Sequence, residues 1–188
     1  ASMAQNGVIC NPNIPSEEVF TTPHALRVEG YVSSTKPLSH QGTLIDNIRV
    51  VFEKGSITDA KASKGETVLK KVLESDEGAR RLGEVALVPN SSPISNSGLL
   101  FYNTLFDENA ACHIALGQCY SKCFKGETNL SASEIRARGG NSSMIHIDWM
   151  IGSGEIDIDG FGKNGEIVPI FRKGCLLYTS PSPRDVEE

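Results

Sequence analysis

The segment Met144-Ile145-His146-Ile147-Asp148-Trp149-Met150 has the alternating pattern of a β-strand. His146 and Asp148 are two positions apart and therefore project from one face, whereas Ile145 and Ile147 project from the other. An imidazole and a carboxylate side by side on a strand can bind a divalent cation together. A half-exposed strand with polar residues on its wet face has the same pattern, and the segment taken alone favours that plainer interpretation.

Other strands are predicted over 27–33, 45–52, 57–62, 85–88, 155–159 and 167–171. Residues 53–56 have the composition of a hairpin turn. Helical spacing indicates helices over 66–74 and 107–120, and Ser131-Ala132-Ser133-Glu134 matches a capping box that opens a short helix. The fold class is therefore predicted to be α+β, a single domain with a mixed or mainly antiparallel sheet and a few helices.

The composition is that of a globular protein: of 188 residues, 39% are hydrophobic and 22% charged, with a net charge of -5. No basic block indicates a nucleic-acid or anionic-membrane partner. No apolar run approaches the roughly 18–20 residues that cross a bilayer. The five cysteines are an odd number without a visible secretory signal, which predicts reduced thiols in a cytoplasmic protein. A mature chain whose signal had been removed would look the same.

Both ends of the chain differ from its middle. The turn-rich run Asn11-Pro12-Asn13-Ile14-Pro15 has the character of a loop that opens a domain, so 1–10 are interpreted as the remnant of a missing N-terminal region. The domain itself is predicted over 11–175. The aperiodic segment 176–188 is either a non-native tail or a native Pro/Ser-rich one.

Cys112, Cys119 and Cys123 are spaced as i, i+7 and i+11, which would place them on one helical face. The spacing permits a soft-metal site or a buried apolar stripe. The stripe is favoured because free cysteine is among the most buried residue types.

Several other ionisable residues are hard to explain as surface positions. His113 lies among small and apolar neighbours, where a buried imidazole needs a partner. On the predicted helix, Tyr120 would lie on the same side as His113. Asp107 would be the N-cap, and Glu108 would lie near the positive, N-terminal end of the helix dipole. Glu84 opens an otherwise apolar run.

Glu17 and Glu18 precede Val19 and Phe20, and buried carboxylates are rarely left unpaired. The residues that could form a metal site together are Glu18, Glu84, Glu108, His113, His146 and Asp148. This mixture of nitrogen and oxygen ligands suits zinc, cobalt or manganese better than calcium, and two ions better than one. Spacing along the chain does not show that the six converge.

Long ordered motifs relate about residues 11–173 to a known family. The segments that carry the resemblance are 11–23, 33–38, 42–46, Leu82-Gly83-Glu84-Val85-Ala86-Leu87-Val88-Pro89, 97–110, His146-Ile147-Asp148 and 168–172. Together they resemble the C-terminal catalytic domain of the aminopeptidase T/AmpS family of bacterial metalloaminopeptidases.

The resemblance implies two divalent metal ions (zinc, cobalt, manganese or magnesium) held by Glu18, Glu84, His113, His146 and Asp148, with Glu108 also at the site. Glu84 would bridge the ions, Tyr120 would be the active-site tyrosine, and Glu17 or Glu108 would be the general base. His24 and His40 are expected to be ordinary surface or loop histidines.

The predicted function is removal of N-terminal amino acids from peptides with a free N-terminus. The resemblance also implies a preceding α/β domain and a homodimer in the full-length protein. The competing hypotheses are a non-catalytic, metal-stabilised binding domain or inactive fragment, and some other two-metal hydrolase.

Overall fold

The computed structural model describes residues 2–3, 6–10, 18–126 and 129–177. Its strands are β1 (Ser2–Met3), β2 (Ile9–Cys10), β3 (Val19–Thr21), β4 (Gly30–Ser33), β5 (Leu38–His40), β6 (Thr43–Ile45), β7 (Arg49–Glu53), β8 (Ser56–Lys61), β9 (Leu82–Leu87), β10 (His113–Gly117), β11 (His146–Met150), β12 (Ile158–Phe161), β13 (Ile167–Arg172) and β14 (Cys175–Leu176). Its helices are α1 (Glu66–Leu73), α2 (Pro93–Ser97), α3 (Thr104–Asp107) and α4 (Ala132–Ala137), with 3-10 turns at Glu77–Arg80, Glu108–Ala110 and Ser121–Cys123.

A four-stranded sheet with the order β11-β10-β9-β3 lies at the centre of the fold. The three-stranded sheets β4-β7-β8 and β12-β13-β14 and the pairs β5-β6 and β1-β2 complete the described strands. Every strand pairing among the described residues is antiparallel. The predicted α+β class with a mainly antiparallel sheet is therefore confirmed.

One face of the central sheet packs into the hydrophobic core. Ile114, Leu116 and Trp149 on this face join the same buried cluster as Leu69 and Leu73 of α1. Trp149 is only 1% exposed. Because alternate residues of a strand point to opposite faces, this packing leaves the intervening residues of β10 and β11 for the other face.

Local signals predicted several elements correctly. The helix predicted over 66–74 is α1, and the capping box at Ser131 and Glu134 is present in full at the start of α4. The hairpin between β7 and β8 turns at Lys54 and Gly55, both with positive φ. The strand predicted over 155–159 begins three residues later and ends two residues later, as β12.

The helix predicted over 107–120 is wrong, because this stretch contains the end of α3, a 3-10 turn and strand β10. Every residue of β10 is buried, so its sequence is a short continuous apolar run whose periodicity does not separate a helix from a central strand. Asp107 precedes the 3-10 turn, but its side chain does not cap it. Its carboxylate instead accepts hydrogen bonds from the backbone N–H groups of Phe101 at 2.7 Å and Asn103 at 3.1 Å.

The three cysteines consequently do not share a helical face. Cys112 immediately precedes β10 and is buried, and Cys119 follows it and is also buried. Cys123 lies in a 3-10 turn and is half-buried.

Candidate metal centre

The register of the central sheet brings the predicted ligands together. Ala115 of β10 pairs with Glu84 of β9 on one side and with Asp148 of β11 on the other. His146 pairs with Gly117, two residues further along β10. Residues paired across strands share a face, so these side chains lie on the face opposite the core, together with His113.

A β-bulge places Glu84 on this face. Leu82 pairs with Leu116 and belongs to the hydrophobic core, although a residue two positions from Glu84 would share its face in a regular strand. The register shift around Gly83 inserts the extra residue that reverses the direction of the side chains. A Cβ atom at Gly83 would lie 2.3 Å from the Gln118 carbonyl oxygen, so glycine is needed there.

Small residues in β10 provide the room between the ligands. Ala115 is fully buried between Glu84 and Asp148. Gly117 has φ +99°, and a Cβ there would lie 2.1 Å from the Ile145 carbonyl oxygen. A larger residue at either position would push the flanking strands or their side chains apart.

Backbone carbonyls orient both imidazoles. Nδ1 of His146 lies 2.7 Å from the Gln118 carbonyl oxygen, and Nδ1 of His113 lies 3.1 Å from the Ala111 carbonyl oxygen. A carbonyl oxygen can only accept, so Nδ1 carries the proton and donates it in each ring. In a neutral ring, Nε2 is then left with a free lone pair, which is the usual arrangement of a metal-ligating histidine.

Both Nε2 atoms face carboxylates. Nε2 of His113 lies 3.1 Å from Oε2 of Glu18 and 3.9 Å from Oε1 of Glu84. Nε2 of His146 lies 3.4 Å from Oε2 of Glu84 and 3.4 Å from Oδ1 of Asp148. A lone pair directed at carboxylates is repelled unless a cation lies between them, and that cation is either a proton or a metal ion.

Two of the buried atoms depend on that cation. Oε2 of Glu18 and Nε2 of His113 are both buried, and neither makes a hydrogen bond to any described residue. Such atoms are costly to bury without a partner. A bound cation would satisfy both.

The ligand atoms form three overlapping groups, each with its atoms within 4.8 Å of one another, as expected for ligands about 2.0–2.2 Å from a common ion. The groups are Glu18–Glu84–His113, Glu84–His146–Asp148 and Glu108–His113–Asp148. Glu84, His113 and Asp148 each belong to two of them. The residues present therefore fit divalent cations of the zinc, cobalt or manganese type.

Glu108 has a carboxyl group whose proton affinity is higher than usual. It lies in the 3-10 turn after α3 and is only 5% exposed. Burial, followed by the charge of Asp148, raises its pKa to about 8. A carboxyl with this pKa can gain and lose a proton near neutral pH.

Tyr120 forms the rim of the site. Its ring centroid lies 4.9 Å from that of His146, and its side chain is 46% exposed. Partial burial and the charges of Glu84 and Asp148 raise the pKa of the phenol above its ordinary value. Tyr120 therefore remains protonated and keeps a hydroxyl that can donate a hydrogen bond.

The structure thus gathers the six predicted ligands and Tyr120 at one face of the central sheet. Glu17 lies outside the described residues. His24 and His40 belong to none of the three groups. Sequence reasoning missed the carbonyls of Ala111 and Gln118 that orient the imidazoles, and the bulge at Gly83. The alternation of Ala115 and Gly117 after His113 is the one sequence signal of the space between the strands.

The metal-free chain is expected to lose stability as the pH rises from about 6.5 to about 10. Burial by itself lowers the pKa of His113, but Glu18 and the other carboxylates outweigh it and raise the pKa to about 9; His146, beside Asp148 and Glu84, similarly reaches about 10. Protons bound more tightly in the folded state stabilise it fully below the ordinary pKa of 6.5, and this contribution is lost as the pH rises through the folded pKa.

Urea unfolding in a chelator should show a decrease in unfolding free energy on the order of 2 kcal/mol over this interval. The His113→Gln, His146→Gln variant should have a flatter profile over the same pH range. A parent profile that is flat or rises with pH would contradict the proton-binding cluster.

The fold and this cluster together have the features of a metalloprotein. The model of the thermophilic metalloprotease (M29) family matches residues 1–176, and the chain therefore belongs to that family. Divalent metal use is implied by this membership, and the resemblance noted in the sequence is confirmed.

Named relatives of the chain are aminopeptidases. The chain is 54% identical over 174 residues to aminopeptidase T of Thermus aquaticus and 53% identical over 178 residues to aminopeptidase 2 of Geobacillus stearothermophilus. These matches cover 93% and 95% of the chain but 42% and 43% of the relatives. The solved structure of wild-type AmpT from Thermus thermophilus matches with a TM-score of 0.86 at 50% identity, over 94% of this chain and 43% of that one. The chain therefore spans less than half the length of these relatives.

Proposed function

We propose that the chain carries the two-metal catalytic centre of an exopeptidase that removes N-terminal amino acids from peptides. The observation that carries the proposal is the position of Glu84. Its two carboxylate oxygens face Nε2 atoms of two different imidazoles, at 3.9 Å for His113 and 3.4 Å for His146. A carboxylate placed in this way can bridge two cations.

The overlapping groups suggest how the ligands are divided. Glu18, Glu84 and His113 would hold one ion, and Glu84, His146 and Asp148 the other. Glu108 lies beside both His113 and Asp148 and completes the set. Zinc, cobalt, manganese or magnesium would fill the site, and the imidazoles favour the transition metals over magnesium. When bound, such ions polarise a carbonyl and lower the pKa of a water molecule.

The protein's own groups supply the remaining chemistry. Tyr120, kept protonated by its surroundings, would donate a hydrogen bond to the oxyanion that develops on the first peptide carbonyl. Glu108, buried beside His113 and Asp148, is a candidate to accept a proton from the attacking water and return it to the leaving amine. Glu17 is the other candidate base. The surplus of carboxylates on this face would attract the positively charged N-terminus of a substrate.

A non-catalytic, metal-stabilised binding domain, or an inactive fragment, is the alternative. Structural metal sites are closed, whereas catalytic sites keep an open position beside the ion. The half-exposed Tyr120 ring next to His146 indicates that this site opens to solvent, which favours catalysis. Another two-metal hydrolase is the third hypothesis, and the choice of substrates separates it from an exopeptidase.

The setting in the full-length protein is also a proposal. Cys112, Cys119, Cys123 and Cys175 are free, which supports a reducing, cytoplasmic compartment. No helix in the described part of the chain has the length and apolar character to cross a membrane. We propose a homodimer for the complete protein.

The cobalt- or zinc-loaded chain is expected to hydrolyse leucine p-nitroanilide but not its N-acetylated form. Acetylation removes the positive charge that the carboxylates would bind, so cleavage should fall by about 100-fold or more. Release of p-nitroaniline measures both reactions. Comparable cleavage of the blocked substrate would exclude an exopeptidase and leave a different two-metal hydrolase.

A further inference from the structure

Phe20 lies at the edge of the candidate metal centre. It belongs to β3, the edge strand of the central sheet, and pairs with Ala86 of β9. Ala86 also pairs with His113 of β10. Because paired residues share a face, Phe20 projects from the same face as the predicted ligands.

Phe20 and Tyr120 form a continuous aromatic surface. Their ring centroids are 5.6 Å apart with a 60° angle between the planes, a tilted arrangement that is favourable for aromatic pairs. The Tyr120 ring in turn lies 4.9 Å from that of His146. The aromatic surface therefore begins at a predicted ligand and extends outward to the edge of the sheet.

Both aromatic side chains remain half open to solvent. Phe20 is 42% exposed and Tyr120 is 46% exposed. The six predicted ligands are buried or half-buried polar groups, so this surface is an apolar rim beside a charged centre. Ligand sites commonly combine a few placed polar groups with an apolar wall that contacts the rest of the ligand.

We infer that Phe20 and Tyr120 form the wall that binds the side chain of the substrate's N-terminal residue, and that Phe20 makes this subsite selective for apolar side chains. The inference rests on the proposed function. In an exopeptidase the first carbonyl is held at the ions, and the Cα that carries the first side chain is only about 1.5 Å from the carbonyl carbon. The first side chain therefore starts beside the ions, where it is within reach of the Tyr120 ring. A branched side chain would extend further and contact Phe20.

The selectivity follows from buried area. A leucine side chain on the two rings removes apolar surface from water on both sides, whereas glycine has no side chain to bury. Phe20 donates no hydrogen bond and carries no charge, so its contribution depends on the size of the substrate's side chain. A positioning role for Phe20, exerted through Tyr120, would instead affect every substrate equally.

The test is the ratio of kcat/KM for leucine and glycine p-nitroanilides in the metal-loaded chain. Phe20→Ala should lower the leucine-to-glycine ratio by about 10-fold, and Phe20→Leu should restore much of it. Phe161→Ala is the matched control, because Phe161 is exposed on a strand of another sheet and should leave the ratio unchanged. An equal loss with both substrates in Phe20→Ala would overturn the inference and leave the proposed function intact.

A binding measurement separates the two proposals if turnover is slow. Leucine hydroxamate and glycine hydroxamate bind metal ions through the same group, so the difference in their calorimetric affinities reports the side-chain subsite. Tighter binding of leucine hydroxamate by the parent, lost in Phe20→Ala, would support the inference even without turnover. Equal affinities in the parent would overturn it, and failure to bind either compound would overturn it together with the proposed function.

Discussion

Replacing His146 and Asp148 together by alanine is expected to abolish hydrolysis of leucine p-nitroanilide by the metal-loaded chain. Both side chains approach Glu84 on the same face of the sheet, and Nε2 of His146 lies 3.4 Å from Oδ1 of Asp148. Their removal deletes two of the three ligands in one group. The activity should fall by about 1000-fold or more, since a catalytic ion contributes several kcal/mol to transition-state stabilisation.

A matched variant controls for the loss of a histidine and an aspartate. His24→Ala with Asp59→Ala changes the same residue types at exposed positions outside the three groups, and should retain parental activity. Metal content measured by mass spectrometry adds a second readout. If the parent binds two ions but lacks activity, the site is formed and catalysis needs the remainder that the longer relatives possess. If the parent neither binds metal nor hydrolyses the substrate, the proposed mechanism is wrong for this chain.

Replacing Glu84 by glutamine should weaken the binding of both metal ions. Glu84 is 4% exposed and its carboxylate faces both imidazoles, so it is the residue shared by the two proposed ion sites. Glutamine preserves the size of the side chain but removes the charge and one of the two acceptor oxygens. Since loss of an outer partner of a ligand already costs about 10–100-fold in affinity, loss of the bridge is expected to cost about 100-fold or more.

Calorimetric titration with zinc or cobalt measures the affinity and the stoichiometry. The parent should bind two equivalents, and Glu84→Gln should bind one or none at micromolar concentrations. Glu155→Gln, at an exposed position after β11, is the control and should bind as the parent does. Loss of a single ion with unchanged affinity for the other would mean that Glu84 is a terminal ligand and not a bridge.

Local signals in the sequence were sufficient for elements that local interactions form. The capping box at Ser131 and the helical spacing of α1 involve residues within one or two turns, and both are present in the structure. The alternation around His146 and Asp148 correctly predicted a strand with two polar groups on one face. The helix prediction for residues 107–120 was wrong because β10 is buried between two other strands. The residues of β10 alone do not reveal this context.

By itself the sequence determined which groups could bind metal ions: two imidazoles and four carboxylates, some of which have mainly apolar neighbours in the sequence. Tertiary structure decided how these donors meet. The antiparallel register places Glu84 and Asp148 on either side of Ala115, and the bulge at Gly83 turns Glu84 away from the core. Strand pairing and bulges depend on contacts between residues far apart in the chain, so no local spacing specifies them. The backbone carbonyls that orient the two imidazoles reach their places for the same physical reason.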